Sequence, residues 1–149
     1  MPAATGTYHA WGPYLRDILK GSITPETAAR YKMILTTTGF TPNLDSDQRY
    51  SDVTNEVYEG SWTQGGLVLA NVLVNLVTAS DLVTLTHDQV TAAEATFASA
   101  ARRVVIYDDT GATAADKRLA FTALLDSNIQ PTAGPIVITS PNGIVRSAY

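Results

Sequence analysis

The chain has 149 residues and a mass of 15.9 kDa, with 45% apolar and 16% charged residues, the proportions of one globular domain rather than a disordered segment. Its net charge is −4 and its pI about 4.9, and ten lysines and arginines lie scattered among fourteen acids without a basic run, which argues against a grip on nucleic acid or an anionic membrane through phosphates. There is no cysteine, so a disulfide framework, a thiolate nucleophile and a cysteine-ligated zinc are excluded.

Met1 to Thr7 carries no Lys or Arg ahead of an apolar core, so a secretory signal is not expected there. One segment has helical spacing. Trp11, Leu15, Ile18 and Leu19 fall on one stripe, with Arg16, Asp17 and Lys20 turned away, Pro13 in the first turn and Gly21 as a stop. This predicts a short amphipathic helix over residues 9–20 docked on something apolar. The pattern then changes to strands. From Ala29 to Thr38, Tyr31, Met33 and Leu35 alternate with Arg30, Lys32, Ile34 and Thr36, the period of a half-buried strand ending at Gly39.

Thr41-Pro42-Asn43 opens a loop, Asp45 and Gln48 have the spacing to cap a helical turn reaching Tyr50, and Asp52 to Val57 extends again. After Gly65-Gly66, Leu67 to Val77 is apolar on both faces, as for a strand inside a sandwich or at a subunit contact. It is interrupted by Asn71 and Asn75 and falls well short of the roughly 20 residues that cross a bilayer. Leu82 to Thr86 and Ala95 to Ser99 are short strand candidates, and a helix over Gln89 to Ala101 competes for the alanine-rich stretch. Arg103 to Tyr107 reads as a strand stopped by Asp108-Asp109-Thr110-Gly111. Leu119 to Leu125 and Ile136 to Thr139 follow, separated by a loop from Asp126 to Pro135, and Pro141-Asn142-Gly143 is a turn before Ile144-Val145. No βαβ alternation and no internal repeat is present. The expected fold is mainly β, an antiparallel β-sandwich or barrel-like domain with a short N-terminal helix, spanning residues 1–149 as one unit with residues 1–8 and 146–149 as extended arms.

Catalytic and metal signals are weak. His87-Asp88 lacks a third ligand at useful spacing, His9 is remote from it, and Asn43, Asp45 and Asp47 lack the Gly and later Glu of an EF-hand loop, so helix capping is the better reading. Asp108-Asp109 and Asp45/Asp47 are ordinary turn residues with nothing to separate their pKa values as acid and base. There is no G-x-S-x-G elbow, and Gly60, Gly65, Gly66 and Gly111 build neither a G-x-G-x-x-G nor a P-loop. Tyr50, Tyr58 and Trp62 have the spacing of a sugar-stacking platform, but packing beneath the loop is favoured because aromatic rings bury the largest areas. No enzyme activity, no metal and no cofactor is expected. The candidates for contact with a partner are Trp11, Trp62, Leu69, Leu73 and Tyr149.

An ordered set of blocks remains: Gly21 to Ile23, Tyr31 to Thr37, F-T-P-N-L-D from Phe40, Y-S-D-V-T-N-E-V from Tyr50, W-T-Q-G-G-L-V-L-A-N from Trp62, R-R-V-V-I-Y-D-D-T-G from Arg102, and N-G-I-V from Asn142. Together these resemble a family of small virion structural proteins of tailed bacteriophages, whose members carry Y-T-P-N, N-E-V, G-Y-T-A-G-G, A-V-I-Y-x-D-T-G and N-G-I-L in this order. The likeness spans nearly the whole chain. It departs at Val90-Thr91, followed by Ala92-Ala93-Glu94 in place of an aromatic, and after Leu125, where Ile129, Pro131 and Pro135 replace a Gly/Ser/Asp-rich stretch. The resemblance implies a non-enzymatic capsid decoration, or cement, protein made in the host cytoplasm. It would sit on the capsid exterior, with the major capsid protein and copies of itself, as trimer or dimer, for partners, and neither nucleic acid nor membrane. A tail, neck or baseplate/fibre-associated component is the alternative it leaves open. A host-glycan-binding or hydrolytic domain is a more distant alternative, and a stand-alone β-domain the plainest.

Overall fold

A computed structural model describes residues 8–27, 29–77, 82–139 and 145–148. The strand β8 (Ala101–Asp108) lies at the centre because its V-V-I-Y stretch is apolar on both faces and must be covered on both. On one side it pairs with β9 (Arg118–Ile129), and β9 in turn pairs with β1 (His9–Ala10). On the other it pairs with β2 (Tyr31–Thr36), from Tyr31 opposite Asp108 to Thr36 opposite Arg103. The far edge of β2 is shared: β4 (Leu67–Val68) lies along its first half and β3 (Glu56–Val57) along its second. Two smaller sheets complete the described fold. In one, β7 (Val90–Ala95) pairs with β10 (Gly134–Ile138); in the other, β6 (Leu82–Thr86) lies between β5 (Leu73–Val77) and β11 (Val145–Ala148). All strand pairings are antiparallel, the sheets are open, and the fold is mainly β with one short helix near the N-terminus, as the sequence predicts.

The helix α1 (Gly12–Leu19) is shorter than predicted because residues 9 and 10 are drawn into the sheet beside Phe121 and Thr122. Its buried face also differs. Trp11, Tyr14 and Ile18 face the core, whereas Leu15 is exposed and Leu19 is 79% exposed. Tyr14 takes the inner position because its hydroxyl finds buried polar partners, so a residue that looks amphipathic completes the stripe at i, i+3 and i+7. Asp17, expected to face away, is held by Arg16 and Arg118. The helix ends at Gly21, as predicted. With φ at +72°, Gly21 donates its N–H to Ile18 and Ser22 donates to Asp17, closing the last turn as a Schellman motif.

The strand at residues 29–38 is confined to 31–36 and is buried on both faces from Met33 onward, because β8 and the β3/β4 pair flank it within a covered sheet. Asp45 and Gln48 do not form the predicted cap. Asn43 Oδ1 accepts the N–H groups of Asp45 and Ser46, and Asp52 Oδ2 accepts those of Gln48 and Arg49, where a single 3₁₀ turn runs from Tyr50 to Asp52. The run Leu67 to Val77 is not one strand. Asn71, at φ +51° with its amide bonded to Asp88, turns the chain between β4 and β5.

The alanine-rich stretch is strand β7, not helix. Ala95 stands opposite Gly134 but Ala92 opposite Ile136, so β7 carries an extra residue in a bulge that turns both Ala92 and Ala95 inward. That spacing of three imitates a helix in the sequence. β9 runs through to Ile129, where a loop was expected, since Ile129 pairs with Ala101 and is buried. Of the arm expected at residues 146–149, Arg146 to Ala148 pair with Thr84, Val83 and Leu82 as part of a sheet, and Tyr149 lies outside the described residues. Residues 1–7 and the Pro141-Asn142-Gly143 turn lie outside the described residues.

A backbone clasp joins the large sheet to the β7–β10 ribbon. Ser61 donates its N–H to the Glu94 carbonyl at 2.6 Å, its hydroxyl accepts the Glu94 N–H at 2.8 Å, and Gly60 bridges to Ala95.

Candidate functional site

The end of β8 carries two consecutive aspartates, and the alternation of a strand sends them to different neighbours. Asp108 turns inward and is 2% exposed. Its Oδ2 accepts Arg30 Nε at 2.8 Å, Arg30 Nη2 at 2.6 Å and the Tyr14 hydroxyl at 3.1 Å. Its Oδ1 accepts the Thr110 N–H at 3.1 Å and hydroxyl at 2.7 Å. The Tyr31 hydroxyl lies 3.0 Å from that of Tyr14, and both rings meet Phe121 at 5.9 to 6.3 Å. A buried charge needs this degree of satisfaction, and here α1, the residue before β2 and the turn after β8 each supply part of it. Burial first, then the neighbouring Tyr31 and Asp108, push the Tyr14 phenol far above its ordinary range. Burial also raises Tyr31.

Asp109 faces two lysines, Lys32 Nζ at 2.9 Å and Lys117 Nζ at 2.6 Å. Burial alone would raise its pKa, but hydrogen bonds from Lys117 and Lys32 and their charges outweigh it and hold the carboxyl below its ordinary 3.8. Lys117 also lies over the Tyr107 ring at 5.8 Å, and Tyr107 stacks on Tyr50 with centroids 4.6 Å apart. Tyr50 donates to Glu56 at 2.6 Å, and Tyr107 donates to the Gly65 carbonyl at 2.7 Å. Because the depressed pKa favours the folded state only while the carboxylate is charged, its stabilisation is complete above pH 3.8 and is lost as the pH falls through the lower folded value. Asp109→Asn should therefore be less stable than the parent by about 1 kcal/mol near neutrality, after allowance for partial solvent screening. The gap should close below pH 3.8, as read from urea titrations across pH 7 to 2; a gap that widens on acidification would contradict the assignment.

Beside Asp108 lies a cleft of about 410 Å³, lined among others by Asp17, Arg30, Asp108, Thr110, Asp116 and Arg118. Arg30 is held by Asp108, Arg118 by Asp17, and Asp116 by the Thr113 N–H and hydroxyl, and no histidine lines the cleft. The arrangement orients charge and braces the helix against the sheet.

The other sequence candidates separate. Trp11, Trp62 and Leu69 are buried within the chain's own core, which corrects their assignment as partner contacts: they present almost no surface. Each is enclosed by segments distant in the sequence. Trp11 donates its indole N–H to the Asn43 carbonyl at 3.2 Å, Trp62 is fully buried in the core cluster, and Leu69 follows β4 inward, donating its N–H to the Tyr31 carbonyl. Leu73 remains exposed at 51%, with Val68 and Val74 also exposed, and Tyr149 lies outside the described residues. The aromatic trio forms no platform, since Trp62 is enclosed, Tyr50 is stacked on Tyr107 and only Tyr58 is exposed. His87 is placed against Asp88, its Nδ1 meeting the Asp88 carbonyl, and burial lowers its pKa. His9 is exposed and lies in β1, opposite Thr122. Asp47 accepts the Asn43 N–H at 2.6 Å, a capping role. Among the described residues no group of three or more His, Asp or Glu side chains converges on a metal position, and no helix is long and apolar enough to cross a membrane. The sequence reading missed Tyr14, Tyr31 and Arg30. Only the helical spacing of Tyr14 from Trp11 and the position of Arg30 immediately before a strand hinted at them. Compared with known proteins, the chain matches no family model, no curated protein and no solved structure.

Proposed function

We propose that this chain is a structural protein of a tailed-bacteriophage virion, a decoration subunit that binds the outer surface of the head lattice and acts by adhesion, with no bond made or broken. One observation carries the reading. The blocks that resemble the virion family fall on residues with scaffold roles: Asn43 caps the loop after β2, Asn55 takes φ +58°, Glu56 receives both Tyr50 and the Gly65 N–H, Gly66 touches the backbone of β2, and Asp109, just past β8, pairs with Lys32 and Lys117. A likeness concentrated at turns, caps and close approaches is a likeness of framework, as expected between members of a structural family whose outer surfaces differ.

A cement subunit works by many modest contacts repeated by symmetry, so that the sum resists internal pressure although each contact is weak. The net charge of −4 suits a position outside the shell, away from packed DNA. Its partners on this reading are the major capsid protein and further copies of the chain, as a trimer or dimer on a symmetry axis. Leu73, with Val68 and Val74 close by in sequence and exposed, supplies apolar surface for such contact. Purified protein mixed with shells of the corresponding major capsid protein should co-sediment with them. Leu73→Asp should weaken that association about tenfold with its thermal midpoint unchanged. Failure of the parent protein to associate with shells would overturn the reading. Density at the neck or tail in electron micrographs of the virion would move the protein there.

A further inference from the structure

A smaller notch of about 70 Å³ shares Asp17 and Arg118 with the large cleft, and its lining also includes Trp11, Tyr14, Arg16 and Arg49. Three of the ten cationic side chains of an acidic protein therefore converge on one small cavity, with Asp17 as its only carboxylate among the described residues. Asp17 is already shared, taking Arg16 Nε at 3.2 Å and pairing with Arg118. Arg49 has no carboxylate partner among the described residues; its guanidinium reaches only the Asp116 carbonyl, at 3.3 Å.

The backbone places this charge in an unfavourable way. Arg49 and Arg118 are directly opposite each other in an isolated antiparallel bridge. Like charges at facing positions repel; Asp17 relieves Arg118, whereas Arg49 has no such counter-charge among the described residues. The bridge is also fixed from both sides: Leu119 donates its N–H to Gln48 at 3.0 Å and Tyr50 donates to Lys117 at 2.9 Å, so the arginines cannot part by a slip of register. The lining is thus short of negative charge, three arginines against one aspartate, at a rigid position with apolar walls of Trp11 and Leu119.

We propose that this notch binds a single carboxylate presented by a partner protein, an acidic side chain or a chain end, which bridges Arg49 and Arg118. The size admits one compact oxyanion, and a planar carboxylate matches the fork of donors on a guanidinium. Asp17 shows the same pairing with its two arginines within the notch. Such binding does not depend on the virion assignment, and it gives a partner surface an acidic anchor in addition to the apolar contact at Leu73.

The test is a titration of the full chain at low ionic strength with acetate, inorganic phosphate and, as a control, chloride, followed by the NMR signals of the arginine Nε–H groups and the Trp11 indole. Saturable shifts with acetate beyond those with chloride are expected. They should weaken about tenfold in Arg49→Gln and by a smaller factor in Arg16→Gln, whose exposed side chain can be replaced without disturbing the fold. Acetate shifts indistinguishable from those of chloride would overturn the proposal, as would saturation by phosphate alone. A response in Arg16→Gln and in folded Arg49→Gln equal to that of the parent would overturn it too.

Discussion

Gly66→Ala is expected to lower the unfolding free energy by roughly 3–5 kcal/mol, enough to leave much of a small domain unfolded. A Cβ at this position would lie 2.0 Å from the Met33 carbonyl oxygen, 2.6 Å from its carbon and 2.8 Å from Ile34 Cγ2, on a residue with φ at +78°. Neither side can yield. Met33 and Ile34 belong to β2, which is held by β8 on one edge and by β4 on the other. Gly21 provides the internal control, because its φ of +72° is equally left-handed while nothing lies within 4 Å of its Cβ position. Gly21→Ala should therefore cost only about 1 kcal/mol. Urea denaturation of the two variants separates the close approach from the dihedral angle, and equal losses would show that the packing argument at Gly66 is wrong.

The second large effect is expected at Asp108. Asp108→Ala leaves the Arg30 guanidinium, whose side chain is 14% exposed, without its counter-charge and removes the acceptor for Tyr14 and Thr110. Loss of one partner from a buried pair costs about 3–5 kcal/mol, because the remaining charge stays desolvated. The double variant Asp108→Ala with Arg30→Met should recover a large part of that loss, since two apolar groups of suitable volume no longer strand a charge. Tyr14→Phe removes one hydrogen bond and keeps the ring contacts, so about 1 kcal/mol is expected. Chemical denaturation of the parent, Asp108→Ala, Arg30→Met and the double variant forms the cycle, with Tyr14→Phe measured beside it. If the double variant is no more stable than Asp108→Ala, the ion pair is not the source of the effect.

The elements whose signals are local were legible in the sequence. Arg103 to Tyr107 is apolar on both faces and became the centre of the sheet, and Gly21 stops its helix by the local preference of glycine for positive φ. What the sequence concealed depends on partners far along the chain. The extension of β9 to Ile129 exists because Ala101 offers it a pairing edge, and β7 stayed ambiguous between strand and helix because a bulge opposite Gly134 and Ile136 alters its period. The same reason hides the buried charge cluster. Asp108 looks like an ordinary turn aspartate beside Asp109, and only the fold brings Arg30, 78 positions away, and Tyr14, 94 positions away, to its Oδ2. Trp11 and Trp62 looked like contacts for a partner because a large aromatic near a terminus or in a loop has no local feature that declares it enclosed.

The clasp between Ser61 and Glu94 has a mechanical meaning. It joins the β7–β10 ribbon to the large sheet through the N–H and hydroxyl of Ser61 and the backbone of Gly60, so the polar contacts that carry tension across this joint are few and lie side by side. Such a joint would work like a hinge pin. The ribbon would come away as a unit before the central strands yield, and amide protons in Val90 to Ala95 and Gly134 to Ile138 should exchange together, ahead of those in Ala101 to Asp108.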